Sequence, residues 1–464
     1  MLTDPIVVAA ICCHLVVQVG VVYLLLHLLR TDGLLTPATS LYAGIVAFWG
    51  PSLPLFAAWL SGKTLLPASA LPPSTVAASF FALALMSVCL MAGTMVHRML
   101  RQPAALHPLP RPATAGTLLV FSCIYISLYT ILLFGSADTR SYLIDIFRFF
   151  VAPDAAAYQR IRRVDYAESF LIDGIIGRLR YSVNALMFVL MLICLIQLLW
   201  HKMFAIMICL VPGFLLICSI SKLPYIYFMI YALISVVAFN HEMLADMSRQ
   251  LRVFLGGIFV FVVGLLALYS FQYEGLENQS FGRYDLIQLA IYRVFVANYD
   301  GLLAYIYAYP GILPFTGFPS LTGISQFFGF DPVDHSIEIV KAISPQSFGL
   351  TSYPTIFIGA AYADLGWLGI AILSVFVGFY VSWLGGSVER LRCGNLRNAA
   401  AVVLTLNTQF FLAVPATTTL FTYGMVTVLI AAKLLDILLQ LLIRPDEIAA
   451  LSPGLGRMGG DGRR

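Results

Sequence analysis

A chain of 464 residues that is 60% hydrophobic and 11% charged, with a mean hydropathy of +0.90, lies far outside the range of water-soluble domains. Its long uncharged runs approach the roughly 20 residues that span a bilayer as a helix, which excludes a soluble globular enzyme. Period-two alternation does not dominate, which excludes an outer-membrane barrel. The net charge of +4 decides little, because in a membrane protein the placement of basic residues matters more than their sum.

Membrane-spanning helices are predicted over residues 6–29, 39–60, 75–96, 115–135, 183–200, 203–221, 224–240, 253–271, 355–384, 399–416 and 421–443. The fold class is therefore an all-α polytopic membrane protein with about 11 spans, in a range of about 10–13. The first run is longer than a signal-peptide core and lacks a basic start, so it is expected to be retained. The break at Ser221-Lys222-Leu223-Pro224 reads as a loop, a kink or a re-entrant turn. Residues 1–443 form one transmembrane domain. The glycine-rich segment 444–464 is expected to be a disordered cytoplasmic tail.

Orientation follows from arginine in the short connections. Arg98, Arg101 and Arg111 follow the third span, Arg249 and Arg252 the seventh, and Arg390, Arg392 and Arg397 the ninth. With Arg444, Arg457, Arg463 and Arg464 after the last span, all fall on one side. That side is read as the cytoplasm, which places the N-terminus outside and the C-terminus inside.

Two long segments then lie outside, about 136–182 and 272–354, and both are expected to be structured. The first holds Arg140, Arg148, Arg160, Arg162, Arg163, Arg178 and Arg180, and no lysine. A guanidinium presents a planar fork of donors that matches phosphate oxygens in pairs and stays charged near a low-dielectric surface. A lipid-linked phosphate or diphosphate fits such a cluster. The alternative is pairing with Asp138, Asp145, Asp154, Asp165, Glu168 and Asp173 of the same segment. The second external segment adds Arg283, Arg293 and Lys341, and its stretch "DLIQLAIYRVFVANYDGLLAYIYAYP" reads as one or two helices lying on the membrane surface or dipping into it.

His335 is the only histidine in either external segment. In "DPVDHSIE", Asp331, Asp334, His335 and Glu338 could ligate a hard cation, or form a proline turn with Asp334 capping a helix. No Asp-x-Asp pair of the kind that holds a nucleotide-sugar metal occurs, so no metal and no cofactor is expected. Intramembrane charge is scarce: Asp364 lies near the outer end of the ninth span, and Lys433 and Asp436 are placed to pair near the inner end of the last. The cysteines lie mostly within predicted spans, which argues against a disulfide framework.

"SPQSFGLTSYPTIFIGAAYADLGWLGIAILSVFVGF" and, upstream of it, "RVFVANYDGLLAYIYAYPG" share an order of parts. An arginine heads a helical stretch that ends in proline. A second proline then leads a long helix carrying Tyr-Ala-Asp and spaced glycines. This order resembles the bacterial O-antigen polymerases, the oligosaccharide repeat-unit (Wzy-type) polymerase family. The likeness is detailed over about residues 283–385 and elsewhere topological. It implies a GT-C-like glycosyltransferase at the outer face of the inner membrane. Such an enzyme transfers a glycan from undecaprenyl diphosphate to the sugar end of a fresh lipid-linked repeat unit, without nucleotide sugar or metal.

The resemblance further implies that outer arginines bind the diphosphate, here Arg160, Arg163, Arg283 and Arg293, with Arg140 in reserve. Ten residues separate Arg163 from Gly174, a spacing found in some members. Guanidinium groups stabilise the charge that builds on the departing diphosphate. A carboxylate would accept the proton of the attacking hydroxyl, with Asp165, Glu168, Asp285 and Asp300 all open as candidates, Asp165 and Asp300 foremost. Expected partners are lipid-linked oligosaccharides, a chain-length regulator and a flippase, and no nucleic acid. The rival readings are an O-antigen ligase, which carries a histidine in its large outer loop as His335 lies here, and a lipid-linked oligosaccharide flippase or other transporter.

Arg163→Lys keeps the charge but loses the fork, so it is expected to slow polymer formation nearly as much as Arg163→Ala. The expected loss is about 30- to 1000-fold, equivalent to about 2–4 kcal/mol of transition-state stabilisation. Arg178→Ala, whose side chain is read as a partner of Asp173, is expected to be much milder. Glycan ladders at matched protein level check this, and normal ladders from both Arg163→Ala and Arg293→Ala would remove the phosphate role.

Overall fold

The computed structural model describes residues 4–50, 71–101, 115–135, 179–199, 222–239, 296–317, 335–343, 355–416 and 423–442, with a few isolated positions between them. The described residues are helical and contain no strand. In chain order the helices are α1 (Pro5–Thr31), α2 (Pro37–Trp49), α3 (Pro73–Leu100), α4 (Ala115–Gly135), α5 (Val183–Leu198) and α6 (Lys222–Phe239). They continue with α7 (Ala297–Ala308), α8 (His335–Ile343), α9 (Phe357–Glu389), α10 (Gly394–Asn407) and α11 (Met425–Leu442), with a 3-10 turn at Thr408–Leu412 after α10.

Helix starts follow local chemistry. Proline opens α1, α2 and α3, where its missing N–H costs nothing. Asp4 caps α1 through Ile6 N, and Thr36 caps α2 through Thr39 N. Among the described residues, three helices are long and apolar enough to cross a membrane: α1 with 27 residues, α3 with 28 and α9 with 33. Shorter apolar helices accompany them at 115–131, 183–198 and 226–236. The predicted spans at 203–221 and 253–271 lie outside the described residues but for isolated positions, as do most of 51–70.

Two groups of helices pack together. In the first, α3 lies between α1 and α9, with α2 against α1, α9 and α10. In the second, α5 contacts α4, α6, α10 and α11. The α3–α9 contact is set by two glycines, one on each helix. A Cβ on Gly93 would lie 2.0 Å from Val375 O, and one on Gly378 would lie 2.2 Å from Leu90 O. The backbones therefore touch, as small residues permit between membrane helices. Thr94 ties the same crossing, donating to Gly378 O at 3.2 Å and bonding Tyr42 Oη at 2.7 Å. The second group is joined by buried Asn407, which accepts from Tyr231 Oη at 2.5 Å and donates to Tyr181 O at 2.6 Å and Tyr423 O at 2.8 Å. In an apolar bundle such a residue survives only when its amide is satisfied on both sides.

The C-terminal ends of α1, α3 and α9 meet at one end of the bundle. There Arg98 pairs with Asp32, and Arg101 with Glu389 at 2.5 Å. The start of α10 joins them: the N–H groups of Arg392 and Cys393 donate to Asp436 of α11 at 3.2 and 2.9 Å. This is the end the arginine distribution assigns to the cytoplasm. Lys433 and Asp436 do not pair as their spacing suggests. Asp436 serves backbone donors at the start of α10, while the Lys433 ammonium sits 5.7 Å from the Trp383 ring centre.

Gly93→Ala and Gly378→Ala are each expected to lower the thermal unfolding temperature of the detergent-purified protein by several degrees, reflecting roughly 1–3 kcal/mol of overpacking. Gly385→Ala is the control, since a new Cβ there meets only Pro37 Cδ at 3.9 Å, and its unfolding temperature is expected to be unchanged.

Candidate functional site

The end opposite the arginines is built around a break in α9. Gly366 stands at φ 62°, ψ −141°, a conformation essentially closed to residues with a Cβ. The part of α9 from residue 367 to 389 rises about 34 Å, enough to cross the roughly 30 Å hydrocarbon core by itself. Its side chains Trp367, Leu368, Ile372, Phe376 and Trp383 are exposed, as expected of a face turned to lipid. The short piece before the break is left beyond that span, and it carries Asp364.

A helix that stops leaves its last carbonyls without intrahelical donors. Here the turn after α7 supplies them: Thr316 N donates to Ala363 O at 3.2 Å and Gly317 N to Asp364 O at 3.0 Å. Of the glycines in this helix, then, Gly378 makes a smooth patch for a neighbouring helix, whereas Gly366 makes the break. Gly369 lies against the carbonyl of Ala361 across it.

The element that brings this turn into place is α7. The sequence suggests a helix on the membrane surface or dipping into it, and α7 is buried on nearly every side, between α3 and α9. Its apolar residues are spread around the helix instead of along one face, which fits that placement. Tyr299 Oη bonds Ser79 Oγ of α3 at 2.8 Å, with the Phe80 ring against it. At the far end of α7, Tyr309 turns toward α8 and α9.

Three elements converge on one chain of hydrogen bonds. Asp364 Oδ1 accepts from Thr316 Oγ1 at 2.7 Å and pairs with His335 Nε2 at 2.9 Å. His335 Nδ1 meets Tyr309 Oη at 2.8 Å. The side chains of His335 and Asp364 are 2% and 7% exposed. An ionised carboxylate only accepts, which assigns the donor role to Nε2 and leaves Nδ1 to accept from the phenol. Burial, with Asp364 and Glu338 nearby, pushes the Tyr309 phenol up to about 12, so it stays protonated and donates. The rings of Tyr305 and Tyr309 stand edge-on to His335, and Phe315 stacks over Tyr309. This is the arrangement by which an acid–base group is held in one tautomer by a buried carboxylate.

His335, one of the sequence candidates, is the centre of this chain. Asp300 is buried in the first turn of α7, about 14 Å along the helix from Tyr309, and is not part of it. Arg140, Arg160, Arg163, Asp165, Arg283 and Arg293 lie outside the described residues. So do Asp331 and Asp334 of the possible cation site. Glu338 turns instead to Lys341 at 2.8 Å, and His335 to Asp364, so these two do not converge on an ion. No group of three metal-ligating side chains occurs among the described residues. Sequence reasoning noted Asp364 as an isolated intramembrane acid and missed Tyr309 and Thr316. The available signal was an acid two residues before a glycine, in a chain with one external histidine.

Compared with protein-family models, with curated proteins and with solved structures, the chain matches none of them.

Asp364→Ala removes the acceptor of both Thr316 and His335 and is expected to destabilise the protein by about 2–4 kcal/mol. Asp364→Asn keeps an oxygen that accepts from both, so it is expected to unfold close to the wild-type temperature. Thermal unfolding of the two purified variants side by side checks this, and equal losses would show that hydrogen bonding at Oδ1 does not hold the site.

Proposed function

We propose that this protein is a glycosyltransferase of the bacterial inner membrane that joins lipid-linked oligosaccharide repeat units at the outer face, in the manner of the repeat-unit polymerases. The observation that carries the reading is the buried Asp364–His335–Tyr309 chain at the end of the bundle remote from the basic end. Glycosyl transfer to a sugar hydroxyl needs an outlet for its proton, and an imidazole oriented by a carboxylate provides one, directly or through a hydroxyl bonded to it. In this reading the arginines of the external segments, Arg160, Arg163, Arg283 and Arg293 first, hold the donor diphosphate and stabilise the charge that develops on it. The helical bundle would then be a GT-C-like scaffold, with the C-terminus in the cytoplasm.

A second reading draws on the same histidine. An O-antigen ligase also uses a lipid-diphosphate donor and an external histidine, and differs in its acceptor.

The glycan profile of a deletion strain decides between them. A polymerase is expected to leave the capped lipid with one repeat unit and no ladder, restored by the wild-type gene. A ligase leaves uncapped lipid, with the glycan retained on its carrier. An unchanged profile would remove both. Asp364→Asn in the complementing gene is expected to reproduce the deletion phenotype at normal protein level.

A further inference from the structure

Both ring nitrogens of His335 are engaged within the protein, Nε2 with Asp364 at 2.9 Å and Nδ1 with Tyr309 at 2.8 Å. A general base must offer a lone pair to the proton it removes. His335 has none to offer an incoming molecule. The Tyr309 oxygen has: its own proton points to Nδ1, and a phenol oxygen also accepts. The geometry points to Tyr309 as the catalytic residue that receives the acceptor hydroxyl's proton, with His335 taking the tyrosine's proton in the same step. This rests on the transferase reading and names the residue that meets the acceptor.

The position of Tyr309 suits that role. Its ring is buried, but the turn that follows, from Pro310 to Gly317, is mostly exposed. Phe315, 39% exposed, lies parallel to the Tyr309 ring with centres 6.4 Å apart and edge-on to Tyr362. Tyr309 thus stands directly before an exposed turn, beside aromatic faces of the kind sugars pack against. Asp364 is turned to Thr316 and His335, with Oδ1 accepting from both.

The step balances. The acceptor oxygen bonds to the anomeric carbon of the donor as the anomeric carbon–phosphate oxygen bond breaks, and the bonding pair leaves on the diphosphate. The acceptor's proton passes to the Tyr309 oxygen while the Tyr309 proton passes to His335 Nδ1, so no phenolate accumulates. The product state is an imidazolium beside the Asp364 carboxylate, whose charge stabilises it. Return of the proton along the same path, to water or to the departed diphosphate, resets the site.

The test measures initial rates of glycan transfer in membranes of the deletion strain carrying the full-length gene, with lipid-linked repeat units as substrate and protein level matched by immunoblot. Tyr309→Phe is expected to lower the rate by about 100-fold or more at saturating acceptor, with KM and unfolding temperature near wild type. His335→Gln removes the outlet for the proton and is expected to be as slow, and the double variant no slower than either, because the two act as one unit. Lys341→Ala, at the exposed Glu338 pair, is expected to keep the wild-type rate. Should Tyr309→Phe fail to accumulate, Tyr309→Met replaces it with the same expected loss. A Tyr309 variant within about threefold of wild type overturns the relay, as do losses that multiply in the double variant or a rate loss matched by a fall in unfolding temperature. If the wild-type gene restores neither ladder nor capped lipid, the transferase reading fails and the Tyr309 role falls with it. If it restores either one, and the Tyr309 variant restores it equally well, only the Tyr309 role fails.

Discussion

The organisation of the candidate site depends on one constraint: a helix broken next to a membrane must find donors for the carbonyls it orphans. Gly366 imposes the break, which leaves Ala363 O and Asp364 O in need of donors from outside the helix. The N–H groups of Thr316 and Gly317 supply them. That requirement pins the turn after α7 to α9. Once the turn is pinned, Thr316 reaches the Asp364 carboxylate and Tyr309 comes within reach of His335. Backbone satisfaction and side-chain chemistry are therefore consequences of the same glycine.

The same logic runs through the rest of the bundle. Between apolar helices there is little hydrophobic reason to choose one partner over another, so close backbone approach and satisfied polar groups make the choice. Gly93 and Gly378 let α3 and α9 touch, and Thr94 bonds across the gap to Gly378 O. Asn407 closes the second group by bonding Tyr231, Tyr181 and Tyr423 at once, under stacked rings of Phe410 and Tyr423 with centres 3.6 Å apart. The pairs Arg98–Asp32 and Arg101–Glu389 lie at the opposite end, where water and lipid headgroups reduce the cost of charge.

Charge is thereby segregated along α9. Its C-terminal Glu389 meets Arg101 at the basic end, and its N-terminal piece holds Asp364 buried against Thr316 and His335. A carboxylate in such surroundings is costly unless it is fully engaged. Asp364 is engaged by Thr316, by His335 and, through His335, by Tyr309. A buried acid placed this way fixes a tautomer, which is useful to proton transfer and of little use to packing alone. That asymmetry is why the functional reading attaches to this end of the molecule.

The sequence by itself determined the class of the protein and the extent of most described helices. Uninterrupted apolar runs admit few structures in a bilayer, and proline and glycine mark where they start and stop. α1, α3, α4, α5 and α6 each begin and end within a few residues of the predicted spans. It also marked His335 and Asp364 as unusual, one as the only external histidine and the other as a rare acid in an apolar helix. Only the tertiary structure joined them, because the partners lie 29 residues apart in the chain and no local periodicity links positions at that separation. Nor could periodicity show that α7 is enclosed instead of lying on a surface, since a short helix with apolar residues on every side and few polar ones fits either place until its neighbours are known. Gly366 and Gly378 look alike in the sequence. One breaks a helix and the other seats one, because a glycine's effect is set by the backbone and carbonyls that surround it in space.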